Sequence, residues 1–99
     1  MMAAGDQTPG RRVYETHVDE SGHKWYPFPS AGDYWLDENV NEWHARVPGA
    51  PPGVGGSLAN HQVVEHEDGT ITVSPSILMA GGGGFTWHGF LEHGVWREA

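Results

Sequence analysis

From Arg12 onward the apolar positions recur with a period of two rather than 3.6, and turn residues return at short intervals, the pattern of antiparallel strands joined by hairpins. Helix signals are nearly absent. Residues 12–18 and 23–28 flank Asp19-Glu20-Ser21-Gly22, a turn that places Tyr14, Thr16 and Val18 on one face and sets Trp25 opposite Thr16. Residues 34–37 and 42–47 flank Glu38-Asn39-Val40-Asn41, and pairing across that turn sets Leu36 against Trp43 and Tyr34 against Ala45. Asp68-Gly69, between residues 63–67 and 70–73, predicts a two-residue type I′ hairpin, because both residues tolerate the positive φ this turn requires. That register sets His66 against Ile71 and Val64 against Val73, so His66 shares the core side with Val64, Ile71 and Val73.

Further on, Ser74-Pro75-Ser76 interrupts the ladder, since proline has no N–H to donate, and residues 77–79 resume as a short buried strand. Gly81-Gly82-Gly83-Gly84 reads as a flexible link. Residues 85–91 and 95–98 close the chain around Glu92-His93-Gly94, whose glycine suits a type I turn with a G1 bulge. Leu91 then opposes Val95 and Phe90 opposes Trp96. Phe85, Trp87, Leu91 and Val95 form a core face in this register, leaving His88, Phe90 and Trp96 outside.

Residues 1–11, almost without apolar side chains, read as a flexible arm, and residues 12–99 as a single β domain. Residues 48–60 are too rich in proline and glycine for a regular element and read as a spacer or a binding loop. The expected fold is mainly β, a small antiparallel sandwich or partly open barrel built from hairpins.

Composition narrows the function. The 99 residues carry 5 basic and 13 acidic side chains, a formal net charge of −8 with histidine neutral, and no basic cluster beyond Arg11-Arg12. Direct nucleic-acid binding is therefore not expected, since that affinity comes mostly from lysine and arginine. The acids are scattered, which also argues against a nucleic-acid mimic. No apolar stretch approaches the roughly 20 residues of a bilayer span, and no leader precedes it, so neither a membrane partner nor export is expected. With no cysteine, thiol nucleophiles, disulfides and thiolate metal sites are absent. Seven histidines are the main chemical resource, and their full protonation would bring the charge to −1.

One candidate site is a zinc-type cluster of His61, His66, His88 and His93 with Glu65, which needs three or four of these ligands to converge. There is no His-Glu-x-x-His segment, and strand alternation turns Glu65 away from His66, so the set is an alternative to a chain with no cofactor. Ser74 and Ser76 lack the Gly-x-Ser-x-Gly context of a nucleophile elbow, and no catalytic residue is assigned. The glycine run lacks the lysine and helix of a phosphate loop. Five tryptophans, three tyrosines and three phenylalanines exceed what a small core needs, and Trp35, His88, Phe90 and Trp96 are the expected partner-binding surface.

The segment Thr-Ile-Thr-Val-Ser-Pro-Ser-Ile-Leu, followed by Trp-His-Gly-Phe-Leu-Glu-His-Gly-Val-Trp, resembles a family of small uncharacterised proteins of tailed phages, prophages and actinobacteria. Ser74, Pro75, Ser76, Ile77, His88, Phe90 and Gly94 occupy the positions of its hallmark, over about the last third of the chain. The resemblance implies a phage-type accessory protein of β structure. The zinc site that cysteines suggest in some branches does not carry over, because this chain has none. The expectation is a non-catalytic protein-binding or assembly module, a virion component or a host-directed factor, located in the bacterial cytoplasm or the virion. A metal-dependent enzyme using the His/Glu set is the alternative.

Overall fold

The computed structural model describes residues 7–99. Eleven strands follow in chain order: β1 Gln7–Pro9, β2 Arg11–Val13, β3 His17–Val18, β4 Lys24–Trp25, β5 Asp33–Asp37, β6 Glu42–Ala45, β7 Gly56–Ser57, β8 Gln62–Glu65, β9 Ile71–Ala80, β10 Thr86–Glu92 and β11 Val95–Glu98. A single 3-10 turn, Gly82–Gly84, joins β9 to β10. The strands make a five-stranded sheet in the order β1-β11-β10-β9-β8, a four-stranded sheet β2-β5-β6-β7, and the small hairpin β3-β4. All pairings are antiparallel except β2 with β5. The fold is the expected mainly β, sandwich-like type, and its sheets do not close into a barrel.

The core lies between the inner faces of the two larger sheets. Tyr34, Ala45, Val47, Ala50 and Leu58 come from the four-stranded side, and Ile71, Val73, Ile77, Met79, Trp87, Leu91 and Trp96 from the five-stranded side. Tyr34 opposes Ala45 and Leu36 opposes Trp43, as the spacing around Glu38-Asn39-Val40-Asn41 predicts. Trp96 is 0% exposed, and its indole N–H donates to the Gly32 carbonyl at 2.9 Å, crossing from one sheet to the segment that opens the other. Trp87 meets it edge to face at 5.5 Å. A second brace is Arg12, whose guanidinium lies over the Tyr14 and Trp43 rings at 4.5 and 4.7 Å while donating to Glu65 and to the Gly69 carbonyl.

Several local expectations are corrected. The hairpin around Asp68-Gly69 is not a type I′ turn: Gly69 N donates to the His66 carbonyl, His66 N donates to the Thr70 carbonyl, and only Gly69, with φ 86°, takes the left-handed conformation. This is a type I turn closed by a G1 bulge. Asp68 keeps negative φ because its carboxylate accepts from the Thr70 amide and hydroxyl, at 3.0 and 2.6 Å. The longer loop slips the ladder by one, to Val63 against Val73 and Val64 against Thr72. Since side chains alternate, His66 and Val64 move to the outer face and Val63 packs on the core.

The last hairpin errs in the opposite sense. His93 and Gly94 both have positive φ, 48° and 75°, forming a two-residue type I′ turn, so Leu91 opposes Trp96 and Glu92 opposes Val95. Trp96 is thereby the buried residue of β11, contrary to its expected place on an outer surface. A Cβ on Gly94 would lie 2.8 Å from the Tyr34 hydroxyl, so the turn is pressed onto the core.

Four more segments differ from expectation. Residues 7–9 and 11 of the expected arm belong to strands, β1 on the β11 edge and the start of β2 beside β5, while residues 1–6 of that arm lie outside the described residues. Trp25 opposes His17 rather than Thr16, and residues 12–18 divide between two strands. Residues 48–60 are neither spacer nor open loop, since they supply Ala50 and the 2% exposed Leu58 to the core and strand β7 to a sheet. Ser74-Pro75-Ser76 lies within one long strand, with a cis peptide at Pro75, and the pairing with β10 jumps there from Leu91–Val73 to Gly89–Ile77. No helix among the described residues is long and apolar enough to cross a membrane.

Two outcomes test this arrangement. Trp96→Ala removes the buried indole and its inter-sheet bond and lowers unfolding free energy by about 3–5 kcal/mol, whereas Leu78→Ala, at a 71% exposed position, changes it by less than about 0.5 kcal/mol; urea titration of both variants measures the contrast. In the β3-β4 hairpin, Asp19 accepts from the Ser21 hydroxyl, the Trp25 indole N–H and the amides of Ser21 and His23, which hold its pKa down at about 2. A lowered folded pKa stabilises above the unfolded value of 3.8 and is lost as pH falls through about 2. The Trp25 indole proton resonance therefore shifts toward its free position as pH falls through about 2 in wild type, and already sits there in Asp19→Ala at neutral pH.

Candidate functional site

Strand β5 turns Tyr34 into the core, so Trp35 faces outward, and register places His44 of β6 and Ser57 of β7 in the same row. The Trp35 and His44 rings stack with centroids 5.7 Å apart and planes 13° from parallel. Phe28 and Pro29 rise on one side of this row and residues 53–57 on the other, enclosing an open cleft of about 400 Å³. Phe28 is 86% exposed, an unusual position for a large apolar ring.

The glycine-rich wall is fixed by one side chain. Arg46, two residues beyond His44 on β6, donates Nε to the Val54 carbonyl, Nη1 to the Pro29 carbonyl, and Nη2 to the carbonyls of Ala50 and Pro51, at 2.7–2.9 Å. Both walls of the cleft are thus tied to the same guanidinium. At the far end of the row Asp37 opposes Glu42 across β5-β6, on the face that carries Trp35 and His44. Asp37 accepts from the Asn39 amide, and Glu42 approaches His44 Nε2 at 3.2 Å. Beneath the start of β5, Asp33 is 2% exposed and held by both arms of Arg11 and by the Ser30 amide; that carboxylate is fully committed to anchoring the strand.

The expected partner surface is therefore divided. Trp35 lies in the cleft. His88 and Phe90 lie on the outer face of the five-stranded sheet, where Arg97 covers the Phe90 ring at 4.3 Å, and Trp96 is buried. Phe28 and Arg46, which shape the cleft, were not singled out by sequence. The Phe28 signal was present in Pro27-Phe28-Pro29, where flanking prolines keep a residue out of regular ladders, but the four carbonyls gathered by Arg46 lie on two different loops and leave no local mark.

The five members of the zinc-type set do not converge. His66 and His93 stack face to face at 3.7 Å, and Thr72 Oγ1 contacts His66 Nε2 while accepting the His93 amide. Parallel rings at that spacing direct their nitrogens along separate planes, unlike two ligands of one ion. Glu65 is engaged by Arg12. His61 Nε2 donates to the Ser76 carbonyl and His88 Nε2 contacts the Ser76 hydroxyl at 2.9 Å. Among the described residues no three histidine, aspartate or glutamate side chains gather as a metal site. Ser76 and His88 have the contact a nucleophile and base would need, yet neither lines the Trp35 cleft, and among the described residues no carboxylate is bonded to His88.

Arg46→Ala leaves the carbonyls of Pro29, Ala50, Pro51 and Val54 without their shared donor. Amide exchange at Ala50 and Val54 rises at least ten-fold in that variant, and Arg46→Lys does not restore protection because an ammonium cannot span the same fork. Comparison of the chain with family models, with curated proteins and with solved structures gives no match.

Proposed function

We propose that this chain is a non-catalytic protein-binding module that docks through the Trp35 cleft. The observation that carries the reading is the pairing of a stacked Trp35–His44 floor with a Phe28 ring left 86% exposed above it, on walls held by Arg46. Aromatic rings of this kind bury large area at small entropic cost, which is how protein interfaces obtain most of their affinity. His88 and Phe90 stand on the other sheet and have no part in this contact. The metal-dependent alternative would need His61, His66, His88, His93 and Glu65 to supply three convergent donors, and their geometry gives that reading no support.

The resemblance in residues 70–96 extends the proposal to a phage-type accessory role, in the virion or against a host protein in the bacterial cytoplasm. Placing p-benzoylphenylalanine at position 28 and irradiating producing cells yields a covalent adduct with one predominant protein, and adding Trp35→Ala removes it. Absence of an adduct, or an adduct indifferent to Trp35→Ala, overturns the docking role.

A further inference from the structure

We propose that the cleft receives a proline-rich segment in the polyproline II conformation, with a basic residue of that segment seated between Asp37 and Glu42. This rests on the docking role given to the Trp35 cleft, and specifies its ligand. The first support is the chemistry of the walls. Phe28, Pro29, Trp35 and Val54 offer flat or apolar surface, and among the described residues no carboxylate or carboxamide lines the cleft, so the two-oxygen acceptors best suited to paired saccharide hydroxyls are missing from its side chains. What the side chains do offer is hydrogens. The indole N–H of Trp25 goes to Asp19 and that of Trp96 to Gly32, while the Trp35 indole donates to no protein group among the described residues. A guanidinium has five N–H groups, and the four bonds of Arg46 leave one hydrogen on Nη1.

A ligand that supplies carbonyl acceptors and has few donors of its own fits such a site. Proline residues meet that description, lacking the backbone N–H, and their rings pack flat on aromatic faces. The polyproline II helix is also already extended before binding, so little ordering entropy is lost when it docks.

The second support is electrostatic and independent of the first. Asp37 and Glu42 stand directly opposite each other, an arrangement of like charges that destabilises a sheet unless a cation joins them. Neither makes an ion pair with a lysine or arginine among the described residues. They lie two strand positions, roughly 7 Å, from the Trp35–His44 row. At about 3.1 Å per residue in polyproline II, the basic residue falls two to three positions from the proline that rests on Trp35. The net charge of −8 favours the approach of such a segment.

The experiment follows the Trp35 indole resonance of the full chain during titration with a short synthetic peptide, Arg-Ala-Leu-Pro-Pro-Leu-Pro. A saturable shift is expected. Trp35→Ala weakens binding at least about ten-fold, as for a central aromatic anchor, and Trp35→Phe, which keeps the ring and removes the N–H, weakens it by a smaller factor. The double variant Asp37→Asn, Glu42→Gln weakens it several-fold and flattens its salt dependence. Equal binding of a peptide with its prolines replaced by alanine, or saturation by a neutral oligosaccharide in place of the peptide, overturns the proposal. Failure of the peptide while the position-28 adduct still forms overturns the proline-rich ligand and leaves the docking role standing; failure of both overturns the docking role as well.

Discussion

The indole of Trp96 sets the separation and alignment of the two sheets. It fills the space between them and spends its one hydrogen-bond donor on Gly32, at the point where the chain turns into β5. Burying an indole of roughly 200 Å² removes about 5 kcal/mol worth of apolar contact from water, a large share of what stabilises a domain this small. The backbone nearby has been cut to fit: a Cβ on Gly10 would lie 2.9 Å from the indole nitrogen and 2.8 Å from the Gly94 carbonyl. With β11 fixed by its tryptophan, β10 is fixed by register, and β1 is held along the free edge of β11.

The outer face of the four-stranded sheet inherits its character from that inner constraint. Because Tyr34 must face Trp96 and the core, Trp35 must face away from it, and the same alternation carries His44, Ser57, Asp37 and Glu42 to one surface. The aromatic cleft and the acidic pair beside it are thus one strand pairing seen from outside. Opposite them, the outer face of the five-stranded sheet carries the contacts of His88 with Ser76 and of His66 and His93 with Thr72, beside the exposed Val64 and Leu78.

What could be read from sequence was local and what could not was a matter of one residue or of distance. The β5-β6 pairing was legible from the place of the Glu38-Asn39-Val40-Asn41 turn, although Tyr34-Trp35-Leu36 is apolar on both faces and alternation alone does not fix its register. The hairpins at Asp68-Gly69 and His93-Gly94 were recognised as hairpins, and each was assigned the turn that belonged to the other. Asp-Gly suits the type I′ geometry in isolation, but the Asp68 carboxylate bonds to Thr70 and retains negative φ, while His93 accepts φ 48° beside a glycine. Each slip of one residue inverted a face, which is why His66 was assigned to the core and Trp96 to the surface. The parallel pairing of β2 with β5 and the docking of β1 on β11 join residues far apart in sequence, and the Arg46 brace runs to main-chain carbonyls, which no residue type marks; no periodicity records any of them.

Arg46 gives the cleft a property that the rest of the surface lacks. Its four partners are neutral main-chain carbonyls, so the brace holds two loops by hydrogen bonds and contains no ion pair. Nor does it depend on an opposing carboxylate that dissolved ions could screen. Ionic strength can mute the exterior field of a chain with net charge −8, while the bonds that tie the walls around Trp35 are not ion pairs and are little screened. The walls of the cleft and the charge beside it are therefore set by separate groups, and added salt weakens the second while leaving the brace of the first in place.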